Sequence, residues 1–266
     1  MIDGFGRKIT YLRISVTDRC NLRCRYCMPE DGVELLRHED ILSFEEIIEI
    51  TKTAVEMGIT KVRLTGGEPL VRRGVINLVA EIAAIKGIED FAMTTNGILL
   101  SQYAKSLADA GLKRVNISLD MIDADRYQQL TRCGDINDVL NGIEAAQKAG
   151  LDPIKLNCVH GQFSEPSDVQ AVKEFGKSKS LQVRTIRQMF FETGCFSVVE
   201  GGNGGNCASC NRLRLSSDGK IRPCLFSDIS FNVRQLGVKQ ALEAAVAHKP
   251  KAGGPCSNNF MHRIGG

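Results

Sequence analysis

A chain of 266 residues, 43% of them hydrophobic, can bury a sizeable core, as one large domain or as a large and a small one. Its net charge of only +3 gives no reason to invoke a nucleic acid partner. It has no apolar run of bilayer length, and its first seven residues lack the apolar core of a signal peptide. A soluble cytoplasmic protein with no membrane partner is expected.

Along the first two-thirds of the chain, strand-like and helix-like segments alternate. Arg13–Val16 reads as a short strand. Ser43 is a candidate N-cap with Glu46 three residues on, opening a helix that Gly58 ends. Lys61–Thr65 is the next strand, followed by a helix over Val75–Ile85. The pattern repeats with strand Phe91–Thr94, helix Ser101–Ala110, strand Arg114–Leu119, and helices from Asp123 and Ile136. It continues with strand Ile154–Val159, helix Ser167–Lys177 and strand Leu181–Ile186. Six strands with crossovers of this length suit parallel pairing. The expectation is an α/β fold: a partial (β/α)6 TIM-like barrel over 1–190, with active-site loops at the C-terminal strand ends. The Gly/Asn-rich stretch Gly194–Asn206 then reads as a flexible connection. After it, 191–266 is expected to form a small domain around a second cysteine group, with a helix near Val233–Ala247 interrupted by Gly237.

Ten cysteines are present, and six fall into two triplets. In a reducing compartment, thiols read better as metal ligands than as disulfides. Cys20, Cys24 and Cys27 (Cys-x3-Cys-x2-Cys) follow the first strand. Three thiolates can hold three irons of a [4Fe–4S] cluster and leave the fourth open. Structural zinc, the rival, wants four ligands, and no fourth cysteine or histidine lies close by. Tyr26 offers an aromatic surface beside the ligands. Leu64-Thr65-Gly66-Gly67-Glu68-Pro69 ends the second strand, and its glycines let backbone approach a ligand closely. Cys207, Cys210 and Cys224 form the second group. There zinc stays a rival, and a fourth ligand from Cys195 or Cys256 is an open alternative. Cys133 and Cys158 read as ordinary thiols. Arg212 and Arg214 alternate with Leu213 and Leu215, so an extended segment puts both guanidiniums on one face, suited to phosphate oxygens.

The first triplet with Tyr26 before its third cysteine, followed by Gly-Gly-Glu-Pro, resembles the radical S-adenosylmethionine superfamily. There, the open iron chelates S-adenosylmethionine, and cluster reduction yields a 5′-deoxyadenosyl radical. Further segments resemble its GTP 3′,8-cyclase family, which acts first in molybdenum cofactor biosynthesis. These are Leu12–Cys20, Thr94-Thr95-Asn96-Gly97, Asn116–Asp120, Cys210–Leu215 and the final Arg263-Ile264-Gly265-Gly266. The resemblance implies two [4Fe–4S] clusters, one on each cysteine triplet. It places S-adenosylmethionine against Tyr26, Gly67, Ser118 and Met189. It places GTP against Arg13, Arg63, Thr94, Lys155, Arg212 and Arg214, with Lys61 and Arg184 as further triphosphate partners. Arg212, Arg214, Gly265 and Gly266 would serve catalysis. A flavodoxin- or ferredoxin-like electron donor and a homodimer are further expectations. The other enzyme reading keeps both clusters but takes a peptide or another cofactor precursor.

Three departures from the family stand out. The chain is shorter, and the loss falls between Met189 and Cys207. Arg184-Thr185-Ile186-Arg187 replaces the usual Arg-Phe-Ile-Glu, so an acidic residue has become basic. His160-Gly161-Gln162-Phe163 replaces an apolar continuation.

Overall fold

Alternation along β1 (Tyr11–Ser15) sets the architecture: Leu12 and Ile14 are fully buried in the main core, whereas Tyr11 and Arg13 face a central cavity. The same division runs through β2 (Lys61–Thr65), β3 (Asp90–Thr95), β4 (Arg114–Ser118), β5 (Lys155–His160) and β6 (Gln182–Arg187). Val62, Leu64, Phe91, Met93, Val115, Ile117 and Leu156 pack outward against helices. A parallel strand covered on both faces normally reads as a continuous apolar run. Here one face of each strand is polar, because that face lines a cavity. The computed structural model describes residues 1–194, 196–202, 204–257 and 264.

Helices supply the crossovers. α1 (Phe44–Glu56) starts with a capping box, in which Ser43 Oγ accepts from Glu46 N at 3.1 Å and Glu46 Oε2 accepts from Ser43 N at 2.7 Å. α2 (Val75–Ala83) and α3 (Leu100–Asp109) follow, and α4 (Ala124–Thr131) is capped by Asp123. α5 (Ile136–Lys148) packs on α3, and α6 (Pro166–Ser178) lies before β6. Among the described residues, no helix is long and apolar enough to cross a membrane.

The strands pair in the order β6-β5-β4-β3-β2-β1, all parallel, which bears out the expected partial barrel. The sheet then continues past β1. β7 (Arg212–Leu215) pairs with it in parallel, and β8 (Lys220–Arg222) and β9 (Phe231–Asn232) add antiparallel ribbons. The arginine-bearing segment is therefore a seventh parallel strand of the barrel sheet. α7 (Val233–Leu236) and α8 (Val238–Ala247) are separated at Gly237, whose φ of 80° a helix cannot accommodate. The glycine-rich stretch read as a flexible connection is pinned. Thr185 and Glu200 form an antiparallel bridge on the edge of β6, their side chains hydrogen-bond, and Val199 is buried.

Candidate active site

The first cysteine loop leaves the C-terminal end of β1 and is tied to the end of α4, where Arg23 N donates to Thr131 O and Arg25 N to Leu130 O. Its turn is closed by Cys27 N donating to Cys24 O at 2.9 Å. Burial pushes the Cys27 thiol up to about 12 and the Cys20 thiol up to about 11, and raises Cys24 well above its ordinary value, with Cys27 as its strongest like-charge neighbour. Three thiols that disfavour one another as anions form a soft donor set that needs a cationic group, as an iron–sulfur core is. Among the described residues, no three His, Cys, Asp or Glu side chains converge on one metal-ion position. Ligands at the corners of a cubane need not converge, since each holds a different iron.

The glycines of Gly66-Gly67-Glu68-Pro69 are required by this loop. A Cβ on Gly67 would stand 2.3 Å from Arg19 O, and one on Gly66 would stand 2.8 Å from Thr17 O. The two backbones are instead bonded, Gly67 N to Thr17 O and Glu68 N to Arg19 O, both at 2.8 Å. Glu68 is fully buried and accepts from Leu70 N, Thr95 Oγ1 and Asn96 N. Burial raises its pKa to about 7 against the pull of these three donors. Asn96 in turn donates to Asn21 Oδ1 at 2.8 Å and approaches Cys20 Sγ at 3.9 Å. A chain of contacts thus joins the end of β3 to the cysteine loop through Glu68. On the far side, Tyr26 Oη donates to Asp120 Oδ2 at 2.7 Å, and Asp120 also accepts from Val159 N.

Cys207 and Cys210, on one short turn, and Cys224, just past β8, come together around one small cavity of about 60 Å³. Arg212, Arg214, Lys249, Leu225 and Phe226 share its wall. A satellite core of Leu225, Phe226 and Ile264 backs it, with Met189, Phe191, Phe196, Cys224 and Cys256 packed on it.

Phe196, Arg212 and Arg214 also line a much larger neighbouring cavity of about 650 Å³ inside the barrel. Among the described residues, its wall carries eight cationic side chains, Arg13, Lys61, Arg63, Arg114, Lys155, Arg184, Arg212 and Arg214, and one carboxylate, Asp90. Register explains the crowding. Arg13 lies opposite both Arg63 and Arg214, and Tyr11 opposite both Lys61 and Arg212. Lys155 lies opposite Gln182, and Asn157 opposite Arg184. Asp90 engages Arg114 in a bidentate pair at 2.7 and 2.8 Å. Arg63 and Arg212 stack on the Tyr11 ring, 5.6 and 5.8 Å from its centroid. Burial lowers Arg13 well below its ordinary value and brings Arg214 down to about 10, with neighbouring guanidiniums adding to both shifts. Burial alone would raise the Tyr11 phenol, but Arg63, Arg13, Arg212 and Arg214 around it lower it. Among the described residues, Arg63 Nε and Arg184 Nε are buried without a hydrogen-bond partner. Such a wall is organised for a multiply charged anion.

The Radical SAM superfamily model matches residues 14–175. A GTP 3′,8-cyclase from Petrotoga mobilis is 40% identical over an alignment of 323 positions that covers all of both chains. The chain belongs to the GTP 3′,8-cyclase family of the radical SAM superfamily. Another cyclase, from Moorella thermoacetica, is 43% identical over 88% of this chain and 86% of its own. The fold resembles Streptococcus suis SuiB, with TM-score 0.68 at 15% identity over 91% of this chain and 66% of that one.

Of the residues that the sequence singled out, this cyclase-family chain brings Arg13, Lys61, Arg63, Lys155, Arg184, Met189, Arg212 and Arg214 to one cavity wall. Thr94, Tyr26, Gly67 and Ser118 stand outside that wall. Thr94 Oγ1 is buried without a hydrogen-bond partner among the described residues, and Ser118 ends β4, in register with Asn157. Gly265, Gly266 and Cys195 lie outside the described residues. Sequence reading missed Tyr11, Asp90, Arg114, Asn157 and Gln182 on the same wall. A period-two pattern of polar residues in otherwise apolar parallel strands, as in Lys155/Asn157 or Gln182/Arg184, is the signal that could have found them.

Proposed function

We propose that the protein is a GTP 3′,8-cyclase, converting GTP to 3′,8-cyclo-7,8-dihydro-GTP, and that its 650 Å³ cationic cavity receives the nucleotide. The observation that carries this reading is the excess of eight cations over one carboxylate among the described residues of that wall. It suits a triphosphate and gives a peptide substrate nothing comparable to bind. The volume falls within the ~300–1,000 Å³ typical of small-molecule sites.

Cys20, Cys24 and Cys27 would hold one [4Fe–4S] cluster, and Cys207, Cys210 and Cys224 a second, beside the nucleotide cavity. Cys20, Cys24 and Cys27 would hold the cluster whose bound, reduced form would supply one electron to S-adenosylmethionine for radical chemistry at the ribose 3′ position. The chain's own residues orient the reactants. Arg13, Arg63 and Arg214, side by side in register, hold phosphate oxygens, and Lys61, Lys155, Arg184 and Arg212 extend the same field. Thr94 would add a hydroxyl at the C-terminal half of β3. Tyr26, Gly67, Ser118 and Met189 would border S-adenosylmethionine. Asp120 fixes Tyr26, and Glu68 fixes the glycine loop against the cysteine loop. Ile264 is buried against Leu225 and Phe226 beside Cys224, and Gly265 and Gly266, outside the described residues, would serve catalysis as the family resemblance implies. A flavodoxin- or ferredoxin-like donor would supply electrons, and a cytoplasmic homodimer is the assembly we favour.

Anaerobic reconstitution with iron and sulfide, then S-adenosylmethionine, a reductant and GTP, tests the assignment. Both 5′-deoxyadenosine and a cyclised nucleotide are expected. Deoxyadenosine release that ignores GTP, with no nucleotide product, would remove the cyclase reading while sparing radical chemistry.

A further inference from the structure

We propose that Arg7 and Lys249 form a cationic clasp that pre-sets Cys207, Cys210 and Cys224 and raises the reduction potential of the cluster they hold. This rests on the reading of that triplet as a second cluster site. The three cysteines sit on two arms of chain, Cys207 and Cys210 on one short turn and Cys224 just past β8, and both arms are gripped through backbone carbonyls. Arg7 Nη1 donates to Cys207 O at 2.7 Å. Lys249 Nζ donates to Arg212 O at 2.7 Å, two residues beyond Cys210, and to Pro223 O at 2.6 Å, the residue before Cys224. Arg7 also ties down the stretch that carries Lys249, donating to Pro250 O at 2.6 Å and Lys251 O at 3.1 Å. Two cations from opposite ends of the sequence thereby join both cysteine arms.

Both cations are buried, Lys249 at 4% exposure and Arg7 at 8%. Arg7 is matched locally, since Asp3 accepts from its Nε at 2.6 Å and Asp3 is itself buried. Lys249 differs. Apart from the Cys210 side chain, its hydrogen bonds go to neutral carbonyls, and it lines the same small cavity as the three thiols. A buried ammonium is costly unless an anion faces it. Three thiolates on an iron–sulfur core leave net negative charge in that cavity, and Lys249 balances it. Positive charge beside a cluster favours its reduced form, so Lys249 shifts the potential upward. Arg7 acts through geometry, because Asp3 already offsets its charge. Both are positioning residues.

The test uses the full chain with Cys20, Cys24 and Cys27 all changed to Ala, so that only the second site loads. It is reconstituted anaerobically with ferrous iron and sulfide. Iron per chain, loss of iron to a chelator and midpoint potential by redox titration are then measured. Lys249→Met is expected to shift the potential downward and to speed iron loss several-fold, while Lys249→Arg keeps the potential near the parent's. Arg7→Lys retains the charge beside Asp3 but loses the fork onto Cys207, Pro250 and Lys251. It is expected to speed iron loss with the potential unmoved. An unchanged potential in Lys249→Met, or unchanged iron retention in Arg7→Lys, overturns the clasp. A parent chain that takes up no iron removes the second-cluster reading itself and the clasp with it. That failure is read in the parent, whereas failure of the clasp alone is read only in the variants.

Discussion

Arg13 and Arg214 lie directly opposite one another across the parallel pairing of β1 with β7, and both are buried. Like charges facing each other across a sheet are destabilising, and burial compounds this. An anion between them reverses the sign. Inorganic triphosphate should therefore raise the melting temperature of the iron-free protein. At a hundredfold excess over Kd the gain is about 2.7 kcal/mol, roughly 5–10 °C, and it should shrink as salt is added. Arg13→Ala should lose most of that gain, as read by thermal melting with and without triphosphate.

Gly67 makes a second prediction. Its Cβ would collide with Arg19 O, a backbone atom that cannot swing aside. Gly67→Ala should cost about 1–3 kcal/mol of stability by overpacking. Because Arg19 precedes Cys20, iron uptake at the first triplet should fall as well. Denaturant unfolding and iron analysis on the same preparation would check both effects.

Glu68 gives the chain a pH dependence of known sign. Its folded pKa of about 7 lies above the ordinary value of 4.5, so the folded state binds the proton more tightly. The associated stability is fully present below 4.5 and is lost as pH rises through about 7. One pKa unit is about 1.4 kcal/mol, so the loss is at most about 3 kcal/mol. Glu68→Gln should flatten this decline, and urea midpoints measured across the window would show it.

The two cysteine sites should separate in kinetics. Cys24→Ala should abolish 5′-deoxyadenosine formation. Arg212→Ala should retain slow cleavage of S-adenosylmethionine yet lose the cyclised nucleotide, because Arg212 belongs to the wall shared by the nucleotide cavity and the second triplet. Full cyclisation by Arg212→Ala would remove its assigned role.

The barrel was legible because its strands and helices carry different periods, and because Ser43, Gly58 and Asp123 mark boundaries that the structure respects. The docking of β7 on β1 was not, since pairing Tyr11 with Arg212 is a long-range event that leaves no local pattern. β8 and β9 are three and two residues long, too short for any periodicity. Gly67 was read as baring backbone to a ligand, and the structure adds a steric reason in Arg19 O. The cations Arg13, Arg63 and Lys155 were read one by one through family resemblance; it is strand register that makes them neighbours. Arg7 and Lys249 carried no signal, because a single basic residue near a terminus looks like any surface charge.

The most direct test of the central claim uses GTP deuterated at the ribose 3′ position, with the reconstituted protein, S-adenosylmethionine and a reductant. Hydrogen abstraction from GTP predicts deuterium in the 5′-deoxyadenosine, formed together with the cyclised nucleotide. Unlabelled 5′-deoxyadenosine with GTP recovered intact would contradict it.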